Sequence, residues 1–359
     1  MEELRATAAR LCSRGRGLLA SDESTGTIGK RLEKAGLQNT EENRRSYREL
    51  FYTADIGQYI SGVILFKETL LQSTSDGTPF VDCLTRQGVL PGIKVDEGLV
   101  PLEGSNGETT TRGLDTLAAN CKEYHKQGAR FVKWRAALKI DEGCPSEAAV
   151  QQNAQQLAEY AAICQACDLV PIVEPELLID GSHDIHHSAA VSERVISACI
   201  AQLWQHNVVL EGMLLKPQMV LPGADYAGPK ATSQEIAQHT LTTMRRCVPP
   251  AVPGIMFLSG GQSEEEATVN LNTLNSLAAA EGKAPWALSF SYGRALQASV
   301  MKIWSEDQSQ KEKARQMAAA LAAVNSSATL AKYGGHHPSL TSASGNLREG
   351  FRGWRTDVS

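Results

Sequence analysis

Apolar runs rich in Val, Ile, Leu and Phe alternate along the chain with longer stretches whose apolar residues recur at helical spacing. The strand-like runs are Gly17–Ala20, Ile60–Phe66, Leu90–Val95, Ala129–Trp134, Leu169–Val173, Leu210–Leu215, Gly254–Leu258 and Trp286–Phe290, eight in all. Amphipathic stretches at Leu114–Tyr124, Glu147–Cys167, Val191–His206, Gln234–Cys247 and Glu265–Ala280 read as helices between them. Thr232 with Glu235 and Ser263 with Glu266 have capping-box spacing, which marks two helix starts. Strands that are apolar without alternation are buried on both faces, and strand–helix repetition requires parallel pairing through right-handed crossovers. Eight such units predict an α/β protein of the closed (β/α)8 barrel type. An open doubly wound sheet would carry a G-x-G-x-x-G turn after an early strand, and the sequence has none. Residues 1–333 read as one barrel domain, and 334–359 as a tail. That tail lacks periodicity and is rich in Gly, Ser and Thr, so it is expected to be mobile, with Phe351 and Trp354 as docking points.

The ends of the apolar runs are polar in a way that solvent exposure alone explains poorly. The first run leads into Asp22, Glu23 and Ser24, the third into Lys94 and Asp96, and the fourth carries Lys133 and Arg135. Glu174 and Glu176 close the fifth, Lys216 the sixth, Ser259 the seventh, and Ser291 and Arg294 the eighth. In a barrel all strand C-termini share one face, where active sites are built. The set therefore reads as a convergent ring of lysines, arginines and carboxylates.

Composition narrows the ligand. With 359 residues, 42% hydrophobic and 21% charged, the chain can bury a large core. A net charge of −5 gives no general attraction to nucleic acid or to an anionic membrane, so phosphate must be met by a local basic cluster. No apolar run approaches the roughly 18–20 residues of a membrane span. Arg5, Arg10, Arg14 and Arg16 near the start resemble a transit segment. Glu2 and Glu3, together with the helical spacing of Leu4, Ala8 and Leu11, favour a first helix packed on the domain. A cytoplasmic, reducing compartment is expected, with the eight cysteines as free thiols. Cys164 and Cys167 form a lone C-x-x-C inside a helical pattern and read as helix-face cysteines. His183, His186 and His187 with Asp184 suggest a solvated loop in preference to a metal centre.

Lys216 is the centre of the candidate chemistry. It ends an apolar run and is followed by Pro217, which cannot extend a strand ladder. A desolvated amine disfavours its charged form, and Lys133 across the mouth would repel an ammonium, so Lys216 is expected to be nucleophilic. Addition of such an amine to a ketone gives an iminium, an electron sink for breaking the adjacent C–C bond without a metal. Glu174 or Glu176 would supply the acid for dehydration, and Asp22 the base for cleavage. Ser259-Gly260-Gly261 and Ser291-Tyr292-Gly293-Arg294 each precede a helix at the usual phosphate side of this fold. Lys94, Lys133 and Arg135 offer a second phosphate position.

The assembled motifs resemble class I fructose-bisphosphate aldolase over about Gly17 to Tyr333. They are Ala20-Ser21-Asp22-Glu23-Ser24-Thr25-Gly26, Asn39-Thr40-Glu41-Glu42-Asn43-Arg44-Arg45, Gly92-Ile93-Lys94-Val95-Asp96 and Asn106-Gly107-Glu108-Thr109-Thr110-Thr111. Lys133-Trp134-Arg135, Ile172-Val173-Glu174-Pro175-Glu176, Leu215-Lys216-Pro217, Leu258-Ser259-Gly260-Gly261-Gln262-Ser263-Glu264 and Ser289-Phe290-Ser291-Tyr292-Gly293-Arg294-Ala295-Leu296 complete the set. The resemblance implies reversible cleavage of fructose 1,6-bisphosphate to dihydroxyacetone phosphate and glyceraldehyde 3-phosphate in glycolysis and gluconeogenesis. It implies no cofactor, no metal, a phosphorylated sugar as partner, no nucleic acid or membrane, and a homotetramer. It makes Lys216 the Schiff-base lysine, Glu174 the acid and base of iminium formation, and Asp22 the base of C–C cleavage, with Glu176 and Lys133 in support. Ser259, Gly260, Gly261, Ser291, Gly293 and Arg294 would hold the ketone-side phosphate. Arg31, Lys94 and Arg135 would serve the other end, with Ser24 and Thr27 lining the pocket.

The chain departs from the family pattern at Gln218, where Ser or Asn is usual, and at Glu97, where lysine is common. It also ends Arg355-Thr356-Asp357-Val358-Ser359 where the family carries a tyrosine, which predicts slow release of dihydroxyacetone phosphate from its enamine. A catalytically weak relative acting as a binding or scaffold protein is the alternative reading.

Overall fold

The structure is a computed structural model and describes residues 1–340. Eight parallel strands close into a barrel in the order β1 (Gly17–Ser21), β10 (Ala287–Tyr292), β9 (Gly254–Phe257), β8 (Leu214–Leu215), β7 (Val170–Leu177), β6 (Phe131–Leu138), β3 (Leu90–Lys94) and β2 (Ile60–Leu65). Helices α2 (Thr25–Lys34), α3 (Glu41–Tyr52), α4 (Lys67–Leu70), α5 (Phe80–Arg86), α6 (Leu117–Lys126), α7 (Glu147–Gln165) and α8 (Ile185–Gln205) join the strands of the first part. α9 (Ser233–Cys247), α10 (Glu264–Ala280), α11 (Ala298–Glu306) and α12 (Lys311–Thr329) follow. Both capping boxes are present, with Thr232 and Ser263 each accepting from the third helical residue, whose glutamate returns the bond.

The strand positions follow the apolar runs, with three physical differences. β6 and β7 run on through their polar residues, so Lys133, Arg135, Glu174 and Glu176 lie within paired strands and not beyond them. Alternation along a strand sends Lys133 and Arg135 to one face, and Glu174 and Glu176 likewise. Second, the run Leu210–Leu215 is mostly not strand. Leu210–Gly212 is a 3-10 turn, because the Gln165 side chain binds Val209 N, Val209 O and Gly212 O in place of a ladder. Third, the periodicity gave no sign of the hairpin of β4 (Leu99–Pro101) and β5 (Thr109–Thr111), whose strands are only three residues each.

Two apolar layers hold the fold together. The outer one packs the helices on the barrel. The inner one fills the barrel with Leu18, Ala20, Ile64, Leu90, Phe131, Val170, Ile172, Leu214 and Met256. Leu4, Ala8 and Leu11 of α1 (Glu2–Leu11) belong to this inner layer, so the first helix covers the N-terminal end of the barrel as its spacing predicts. Glycines on β2 and β3 admit the Phe131 ring: a Cβ at Gly62 would stand 2.9 Å from it and one at Gly92 only 2.3 Å.

All eight cysteines are free; Cys164 is buried on α7 with its sulfur 3.6 Å from that of Cys121. The histidine segment is less of a loop than expected, since Asp184 caps α8 by accepting from His187 N at 2.7 Å and His186 and His187 form its first turn. After Tyr333 the chain lies against α10 and α11. There His337 Nε2 is 3.1 Å from Thr268 Oγ1, Ser339 Oγ donates to Glu264 at 2.7 Å, and Leu340 N donates to Ser299 Oγ at 2.8 Å. Phe351, Trp354 and the C-terminal residues lie outside the described residues.

The fit around Phe131 leaves no room for a methyl group. Gly92→Ala is expected to destabilise the protein by roughly 1–3 kcal/mol through overpacking, and Phe131→Leu in the same chain to recover part of the loss. Denaturant midpoints of the three proteins measure this; an unchanged midpoint for Gly92→Ala would contradict the packing account.

Candidate active site

Four side chains from four barrel strands or the residues just after them form one line of alternating charge. Asp22, directly after β1, contacts Lys133 of β6 through Oδ2 and Nζ at 2.7 Å. The same Nζ lies 3.1 Å from Glu174 Oε2 on β7, and Glu174 Oε1 lies 3.1 Å from Lys216 Nζ after β8. All four residues are buried. Lys216 is held in strand geometry past the short β8, since its N–H donates to Val173 O at 2.8 Å and the Pro217 carbonyl accepts from Leu258 N at 3.0 Å. The Lys133–Glu174 contact is ionic: among the described residues no hydrogen-bond donor is directed at Glu174 Oε2.

Burial alone would favour the neutral forms of Asp22, Lys133 and Glu174, and mutual pairing opposes it. For Asp22, burial pushes the carboxyl up, but Lys133, Lys216 and Lys94 outweigh it and bring it down to about 2. Burial likewise opposes charge on Glu174, and Lys133, Lys216 and Arg135 hold it below the usual carboxylate range. Lys133 is raised well above the ordinary lysine value, because Asp22, Glu174 and Asp96 overcome its desolvation. It is thus a bound cation between two carboxylates as well as a like charge for Lys216.

The other cations of the mouth also have anionic partners. Arg135 Nε is bonded to Glu176 Oε2, so the glutamate that sequence reasoning offered as an acid is committed to an arginine. Lys94 Nζ contacts Asp96 Oδ1 at 2.8 Å, and Asp96 Oδ2 accepts from Arg135 N at 3.3 Å. Arg31 Nη1 donates to Glu23 Oε1 at 2.6 Å. For Arg294 burial comes first and then the like charge of Arg31; together they bring its guanidinium down to about 10. Arg31 is therefore within electrostatic reach of the β10 end as well as of β1, as the pairing of these two strands requires.

Hydroxyls and backbone form the opposite wall. Ser259 and Ser291 are buried, and Ser291 Oγ has no hydrogen-bond partner among the described residues. Gly260 and Gly261 have φ of +31° and +78°, and they lead into α10 through its cap Ser263. That turn is braced by Gln262, whose Nε2 donates to Ser259 O at 3.0 Å while its Oε1 accepts from Asn270 at 2.7 Å. Gly293 stands beside Glu23, with a Cβ there 3.9 Å from Oε1. Ser24 caps α2, accepting from Thr27 N at 3.3 Å, with its hydroxyl 3.1 Å from Thr27 Oγ1. An unpartnered buried hydroxyl, a positive-φ glycine pair and a helix start are chemically suited to an anion.

Sequence reasoning missed the supporting amides. Asn270 lies in α10 and Gln262 and Gln297 just before α10 and α11, where an amide carries no pattern that separates a brace from a surface side chain. Gln218, the departure from the family pattern, has a structural use: its Oε1 accepts from Leu177 N at 2.9 Å at the end of β7. Among the described residues no group of His, Cys, Asp and Glu is arranged to hold a metal ion.

The depressed carboxyl of Asp22 fixes the sign of a pH effect. Its pairing with Lys133 contributes stability that is full above about 3.8 and is lost as pH falls toward about 2. Asp22→Asn is expected to flatten the fall in unfolding midpoint across that window; an identical pH dependence in both proteins would rule out the pair as its source.

Comparison with known proteins agrees with this site. The family model described as fructose-bisphosphate aldolase class-I matches residues 3–350. Fructose-bisphosphate aldolase 4, cytosolic, of Arabidopsis thaliana is 57% identical over 334 residues, covering 93% of this chain and 84% of that protein. Fructose-bisphosphate aldolase 5, cytosolic, of the same plant is 54% identical, covering 98% of this chain and 97% of the relative. A crystal structure of fructose-bisphosphate aldolase from Plasmodium falciparum, in complex with TRAP and a small-molecule inhibitor, superposes with a TM-score of 0.91 at 50% identity, covering 93% of this chain and 96% of that one. A closed barrel, the charge-paired lysines at its mouth and this similarity over nearly the whole length lead to one conclusion: the chain belongs to the class I fructose-bisphosphate aldolase family.

Proposed function

We propose that this enzyme cleaves fructose 1,6-bisphosphate reversibly through a Schiff base on Lys216, in the cytosol, as the names of its relatives suggest. The observation that carries this reading is the line Asp22–Lys133–Glu174–Lys216. Glu174 takes a proton from the Lys216 ammonium at 3.1 Å, leaving a neutral amine and a carboxylic acid. The amine adds to the substrate ketone, and the carbinolamine hydroxyl leaves as water with the proton that Glu174 returns. The resulting iminium draws the electrons of the adjacent C–C bond. Asp22 takes the hydroxyl proton of the departing half, which leaves as an aldehyde, and an enamine remains on Lys216. Lys133 keeps both carboxylates ionised between these steps.

Ser259, Gly260, Gly261, Ser291, Gly293 and Arg294 are assigned to the ketone-side phosphate, with the partnerless Ser291 hydroxyl in support. Lys94, Arg135 and Arg31 are assigned to the second phosphate, with Ser24 and Thr27 at the pocket wall. A homotetramer is proposed on the family resemblance alone. No observation favours a scaffold role.

Borohydride reduction in the presence of fructose 1,6-bisphosphate should leave a stable adduct on Lys216, with or without a chelator. Mass spectrometry of the digested protein reads the site, and an adduct elsewhere or none would overturn the assignment. Glu174→Gln, which removes the proton carrier and keeps the shape, is expected to lower kcat by about 10²- to 10⁴-fold. A loss below that range would reassign the acid.

A further inference from the structure

Glu23 is a carboxylate of the mouth to which the proposed chemistry gives no task. Glu23 follows Asp22 after β1, and its side chain is only 8% exposed. It is fixed at both ends. Its carbonyl accepts from Arg48 Nη2 at 2.6 Å, and Arg48, itself 1% exposed, also donates to Thr69 Oγ1 at 2.7 Å. Its Oε1 accepts from Gln297 Nε2 at 2.9 Å. Gln297 is held in turn, donating to Ala20 O at 2.7 Å and accepting from Tyr47 Oη at 3.1 Å.

The cation on this carboxylate is mounted differently. Arg31 lies in the last turn of α2 with its side chain 27% exposed, and Nη1 reaches the same Oε1 at 2.6 Å. A fixed anion therefore holds a cation on a long, flexible stem. The pair stands next to Gly293, and Arg31 is within electrostatic reach of Arg294.

We propose that Glu23 is a positioning residue that serves Arg31 as a displaceable counter-ion: it holds the guanidinium in the empty mouth and yields it to a substrate phosphate. This rests on the reading that Arg31 serves a phosphate. Since Glu23 cannot follow, Arg31 moves or is shared. A group of charge no greater than the carboxylate's gains little by competing, whereas a dianionic phosphate gains more. Glu23 thereby weakens phosphate binding and favours dianions.

The test uses inorganic phosphate as a competitive inhibitor, with the KM for fructose 1,6-bisphosphate read alongside kcat. Glu23→Gln keeps an oxygen for Gln297 and removes the charge. It is expected to tighten phosphate inhibition by about 3- to 10-fold and to lower KM by a larger factor than it changes kcat. Glu23→Asp, whose carboxylate stands back by one methylene, should give an intermediate gain and keeps the proposal testable should Glu23→Gln unfold. In an Arg31→Gln background the gain should vanish. An unchanged or weaker phosphate inhibition in Glu23→Gln, or a gain that persists without Arg31, overturns the counter-ion role. If Arg31→Gln alone leaves phosphate inhibition untouched, the phosphate role of Arg31 fails and the proposal with it, a result distinct from the other two.

Discussion

The Lys133 ammonium, shared between Asp22 and Glu174, is the contact on which the site depends. Asp22, Glu174 and Lys133, this deeply buried, would otherwise shed their charges, because a lone ion in a low-dielectric interior is costly. Alternation of sign along Asp22, Lys133 and Glu174 makes each of these charges the reason its neighbour stays ionised. The line also places a proton donor and a proton acceptor 3.1 Å apart at the Lys216 amine. The barrel supplies what this line requires: neighbouring strands in fixed register, with Lys133 opposite Ile172 and Arg135 opposite Glu174.

Much of this was legible in the chain, for reasons that differ by element. Strands buried on both faces cannot hide their apolar character, so the eight runs and the closure they imply were readable. Lys216 was readable because an apolar run followed by proline frames it. The Leu210–Gly212 turn was not, because it depends on Gln165, more than forty residues away, satisfying the local backbone. Polar residues within β6 and β7 were mistaken for strand ends for a related reason. Alternation into a polar barrel mouth looks the same in sequence as the point where a strand stops.

Pairing was the hardest property to read. Glu176 looks like an acid by position, yet its partner Arg135 lies across a strand pair and is seen only once the barrel is closed. Arg31, Lys94, Lys133, Arg135, Lys216 and Arg294 face Asp22, Glu23, Asp96, Glu174 and Glu176, six cations against five carboxylates. A chain whose net charge is −5 thus keeps a slightly positive mouth, which local pairing and not composition sets. Gln262 and Gln297 show the same lesson with neutral groups, since their importance lies in what they touch.

The first helix carries a consequence for traffic. With Leu4, Ala8 and Leu11 sealing one end and Phe131 wedged above them, the barrel is a cup with a single rim. Whatever enters must leave by the same opening. On the proposed chemistry, one half stays bonded to Lys216 while the other is free, so the aldehyde departs before the ketone can. The closed floor then makes the rim the one path for both products, and the tether on Lys216 sets which of them uses it first.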